Sequence, residues 1–79
     1  MQPFWMHVRT EDVYVITMPV ALLESNLTPM VVYAKHPGKN HQQGMMLPGP
    51  FWCRPVDEFL DGRFRQLTEP EVKAFLGRQ

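Results

Sequence analysis

The side chains best equipped for chemistry fall in one stretch, from Lys35 to Glu58. It holds His36, His41, the only cysteine Cys53, the pair Trp52-x-Arg54 and the adjacent carboxylates Asp57 and Glu58. His36 and His41 are five apart, with Cys53 and His7 as distant further ligands. Tetrahedral zinc sites use two tightly spaced ligand pairs, and only half of that pattern is here. The two histidines therefore read as exposed loop residues, with no metal, and Cys53 as a small buried residue within an aromatic strand. Asp57 and Glu58 are neighbours, so on a helical turn they point about 100° apart, and acid–base work would need a third group. No nucleophile elbow, phosphate loop or dinucleotide turn is present. An enzyme is not expected, nor a cofactor.

Binding is the chemistry that remains. On a strand, residues 52 and 54 share a face. There Trp52 and Arg54 can stack a planar group or grip an anion. The same spacing allows a structural role, which is preferred: Arg54 lies along Trp52, pairs with Asp57 or Glu58, and locks the strand to the next turn. The segment His36–Pro50 has fifteen residues with neither strand nor helix pattern, and patternless segments that long are commonly functional or disordered. Its first half is polar and basic, its second apolar and proline-rich. Between Glu24 and Asp57 stand Lys35, Lys39 and Arg54 and no acidic residue, so a neutral chain has a locally positive side. Met45 and Met46 either cover a barrel mouth or meet an apolar partner. The candidate binding residues are Lys35, Lys39, Met45, Met46, Trp52 and Arg54. The first reading is a protein-interaction module. The alternative is a nucleic-acid accessory domain whose Lys35, Lys39 and Arg54, joined by Arg63 and Arg65, contact phosphates. Eight basic and eight acidic residues count against that alternative, because nucleic-acid binders carry a basic excess. An exposed edge strand would also permit a homodimer.

Short strands must position these groups, because eight prolines and five glycines cut the chain into pieces. Residues alternate from Phe4 to Arg9. Val13 to Met18 is β-branched and aromatic, as a pleated sheet prefers. Thr10-Glu11-Asp12 between them is of hairpin length. Pro19 ends the second run or places it at an edge, since it lacks an N–H. A turn at Glu24-Ser25-Asn26 leads to Pro29 and then Met30–Ala34, whose continuous apolar run predicts a central strand covered on both sides. Phe51–Arg54 makes a fourth strand stopped by Pro55. Val56–Leu60 suits one helical turn, Asp61-Gly62 a tight turn, and Arg63–Leu67 a fifth strand. Thr68-Glu69-Pro70-Glu71 has capping-box spacing, with Leu67 and Val72 placed as a staple, so a helix is expected over about 69–76.

Seventy-nine residues, 44% of them apolar, make one domain spanning 1–79 with a thin core. Tyr33, Trp52, Phe59, Phe64 and Phe75 are its expected contributors. One cysteine permits no internal disulfide, and the N-terminus lacks a signal-peptide pattern, so a cytoplasmic protein without a membrane span is expected. Five short strands and one terminal helix predict a mostly β fold: a small, curved antiparallel SH3-like or OB-like barrel, or a half-open sheet with the helix across it.

Val13-Tyr14-Val15, Val31-Val32-Tyr33 and Trp52-Cys53-Arg54-Pro55 followed by Phe59 resemble a family of short bacterial domains of unknown function. That family carries Y-x-V, V-V-Y and W-x-R-P…F in this order. The resemblance spans roughly Val13 to Phe64 and implies an SH3-type barrel. Where the family opens with an H-x-K-G turn, this chain has His7-Val8-Arg9-Thr10. No activity comes with the resemblance.

Overall fold

Turn chemistry cuts the chain where the sequence places its polar breaks. The structure, a computed structural model, describes residues 3–38 and 46–77. Strand β1 (Phe4–His7) reverses through Thr10-Glu11-Asp12 into β2 (Val13–Leu22), which reverses again into β3 (Pro29–Lys35). Strand β4 (Phe51–Pro55) runs directly into the one-turn helix α1 (Val56–Phe59). Then follow β5 (Phe64–Gln66) and the C-terminal helix α2 (Glu69–Gly77). The strands form one antiparallel sheet in the order β4-β3-β2-β1-β5.

Pro19 does not end β2, contrary to one of the two expectations. The pairing slips between Ile16 and Met18 and again between Met18 and Ala21. Pro19 thus falls in an irregular stretch of the ladder, where a missing donor is tolerated. The Thr17 hydroxyl donates to the Val32 carbonyl at 3.2 Å across the first slip.

Curvature follows from side-chain distances. Strands lie about 4.8 Å apart, so β3 and β5, with two strands between them, would sit about 14 Å apart in a flat sheet. Yet the rings of Tyr33 on β3 and Phe64 on β5 are 5.5 Å apart. The sheet curls around them without closing: no pairing joins β4 to β5 among the described residues. Phe59 from α1 fills the hollow, fully buried, stacked on Phe64 at 4.3 Å and edge-on to Trp5 at 5.2 Å. Trp5, Ile16, Val31 and Tyr33 complete this core.

The opposite, convex face carries α2. Its start is the capping box read from the sequence: the Glu71 N–H donates to Thr68 Oγ1 at 3.3 Å, and the Thr68 N–H donates to Glu71 Oε1 at 2.9 Å. Arg65 on β5 closes the clamp with two 2.8 Å bonds to both Glu71 oxygens. Those bonds, with the Thr68 N–H, hold the Glu71 carboxyl down to about 2 from an ordinary 4.5.

Several expectations change. Tyr33, Phe59 and Phe64 share the concave core, but Phe75 lies half-buried against His36, with rings 4.9 Å apart. Trp52 is 51% exposed, because the edge strand β4 has no neighbour beyond it to cover the indole. Cys53 is exposed on the other face of that strand. His36, expected in solvent, is buried between Phe4 and Phe75, and its Nδ1 accepts the Gly38 N–H at 2.9 Å. No helix among the described residues is long and apolar enough to cross a membrane.

Candidate functional site

Alternation on five strands aims one set of side chains into the hollow, and near the Thr10 turn that set is no longer covered. Tyr14 on β2, Tyr33 on β3 and Phe64 on β5 meet edge to face, with centroids 5.5–5.7 Å apart. His7 on β1 stands edge-on to Phe64 at 5.1 Å. Trp52 pairs directly opposite Tyr33 in the β3–β4 ladder, so its exposed indole extends this aromatic wall to the sheet edge. Pro50 and Lys35 finish a cleft of about 390 Å³ to which all five strands contribute.

Arg54 shares the Trp52 face, as strand period requires, but its partner differs from the expected Asp57 or Glu58. Its Nε donates to the Tyr33 hydroxyl at 3.3 Å, and its guanidinium lies 5.8 Å from the Phe64 ring centre. It makes no ion pair among the described residues. The side chain therefore reaches from edge strand β4 over to β5, across the seam where the sheet stays open. The Tyr33 bond strengthens its preference for the charged form. Tyr14 holds its proton above the usual phenol range, mainly because burial disfavours the anion and secondarily because Asp12 is near. Both are thus set as a fixed cation and a neutral phenol.

Beyond Arg54 a second depression of about 480 Å³ adjoins the first, sharing His7 and Arg54 and adding Val8, Arg9, Gly62 and Arg63. Gly62 makes the turn that presents Arg63, at a φ of 107° that a side chain would strain. Neither lining contains a carboxylate. Arg63 contacts Asp61 at 3.1 Å and Glu58 at 3.9 Å, and Lys35 contacts Asp12 at 3.4 Å, all at the surface. Arg9 has no ion pair among the described residues. A larger groove of about 570 Å³ lies under α2 on the other face. Two of its three carboxylates are occupied, Asp12 with Lys35 and Glu71 with Arg65.

Of the residues singled out from the sequence, Lys35, Trp52 and Arg54 come together here. Met46 is 91% exposed and lines neither depression. Lys39, Met45 and His41 lie outside the described residues. Arg65, named for phosphate contact, is held by Glu71. Sequence reasoning missed His7, Arg9, Tyr14, Tyr33 and Phe64 as lining groups; the alternation of β1 and β2 could have put His7 and Tyr14 on one face. The described residues hold no group of three His, Cys, Asp or Glu side chains able to bind a metal. Neither protein-family models, curated proteins nor solved structures yield a match to this chain.

Proposed function

We propose that this chain is a protein-interaction module that docks an extended segment of its partner in the aromatic cleft. One observation carries the reading: a half-exposed tryptophan and two tyrosines converge on one cleft, beside a proline and two cations. Aromatic anchors of this kind, enclosed on one side and open on the other, dominate recognition of extended peptides. The strand order β4-β3-β2-β1-β5, with a helical turn between β4 and β5, supports an SH3-like relationship, in keeping with the family resemblance. An exposed lone thiol suits a reducing cytoplasm.

Capture from nuclease-treated lysate provides the test. Trp52→Ala should abolish capture of the partner, and Phe51→Ala should not, because Phe51 is equally exposed but on the opposite face of β4. Equal loss in both variants, or capture that disappears with nuclease, would sink the reading.

A further inference from the structure

We infer that the segment docked in the aromatic cleft is acidic, and that its carboxylate is received by Arg9, Arg54 and Arg63 in the adjoining depression. The inference rests on the protein-docking reading and names the chemistry of the partner. Arg9, Lys35, Arg54 and Arg63 are four of the chain's eight basic side chains, and all four line these two contiguous depressions without one carboxylate among the lining residues. A net charge of zero therefore conceals a basic lining, flanked at its ends by the acidic partners Asp12, Glu58 and Asp61. The guanidinium charges of Arg9 and Arg54 are not spent on ion pairs among the described residues. Arg54 is also pre-positioned, since its Nε is engaged by Tyr33 and its guanidinium is seated near Phe64. Its two terminal nitrogens remain as a fork of the kind that binds carboxylate bidentately.

The surroundings decide between a local anion and a polyanion. Asp12 sits beside Lys35 at one end of the basic lining, and Asp61 and Glu58 sit beside Arg63 at the other. A nucleic-acid backbone needs a positive track that continues along its path. Here a chain of phosphates would meet these carboxylates at either end, whereas one or two carboxylates on a peptide fit between them. The shared members Arg54 and His7 place anion and apolar contacts side by side, so the expected motif is Asp or Glu within a few residues of a proline or aromatic side chain.

Panning a random ten-residue peptide library on the intact chain reads this directly. Enrichment should show an acidic residue next to a proline or aromatic one. The best peptide should bind Arg9→Gln about ten-fold more weakly, the scale of one lost charge-assisted bond. Arg9 is an exposed turn residue, so this variant keeps the fold, and a peptide with Glu replaced by Gln should bind parent and variant alike. Enrichment of apolar motifs without acid, sensitive to Trp52→Ala only, would overturn the acidic partner and leave the docking cleft standing. Acidic motifs sensitive to Arg9→Gln but not to Trp52→Ala would overturn the cleft and keep the anion site. An oligothymidylate that outcompetes the best peptide would overturn the choice of a protein anion, and failure to enrich any motif would overturn both.

Discussion

Strand β2 contains two halves of nearly equal hydrophobicity and opposite fate. Val13 and Ile16, in the first half, are buried; Met18, Val20 and Leu22, in the second, are exposed, Leu22 by 61%. Both halves pair with β3, so hydrogen bonding to that neighbour does not separate them. The difference lies on the other flank. Strand β1 accompanies β2 only to the Ile16 N–H, which donates to the Pro3 carbonyl at 2.7 Å. Past that point the β2–β3 hairpin has no β1 beside it and lies outside the core around Phe59. Apolar side chains are buried by the layers that meet them, and side-chain type alone does not summon a layer.

The largest expected effect tests the root of this contrast. Phe59→Ala should remove about 3–5 kcal/mol, as truncation of a buried aromatic does, which approaches the whole stability of a domain this small. Chemical denaturation followed by circular dichroism measures it. A midpoint close to that of the parent would mean that the concave core is not where the stability lies.

The clamp at the start of α2 should show itself through pH. Because the folded state holds Glu71 at about 2, below its ordinary 4.5, the unfolded chain binds the proton more readily. The clamp's contribution is complete above about pH 4.5 and is lost as pH falls toward 2. Between those values the parent should lose melting temperature faster than Glu71→Gln, and parallel acid profiles would remove Glu71 from the account. The pair is at the surface, so added salt should weaken its effect.

A smaller change is expected at the hairpin tip. Leu27 adopts a positive φ of 59°, a conformation that crowds Cβ against the following carbonyl at about 1–2 kcal/mol and that Asn tolerates better because its short polar side chain can hydrogen-bond locally, and the Leu27 side chain is exposed. Leu27→Asn should therefore raise stability by up to about 1 kcal/mol, and a lower melting temperature would show that Leu27 has a contact worth more than its strain.

The smallest effect sharpens the comparison most. Val20→Ser with Leu22→Ser should shift stability by no more than about 0.5 kcal/mol, as surface changes do. The matched change Ile16→Ala, three residues into the root, should cost about 2–5 kcal/mol. Comparable losses from the two would show that the tip is covered in solution, and sedimentation at rising concentration would then reveal whether a second copy covers it.

Local structure was legible because its causes are local. Thr68 and Glu71 specify a helix start through bonds three residues apart, and Pro55, Asp61-Gly62 and the alternation in β2 act over similar distances. Trp52 and Arg54 share a face for the same reason. The sequence alone thus determined five strands, a terminal helix and the shared face of one aromatic and one cation. Only the tertiary structure decided which surface each faced. The fate of Trp52, Phe75, His36 and Cys53 depended on which strand became an edge and which face α2 covered, and those choices join residues far apart in the chain. The basic lining was hidden for the same reason. Arg9 stands tens of residues from Arg54 and Arg63 in the chain, equal acidic charge balances them, and the three line one depression only because the sheet curls until its two edge strands approach.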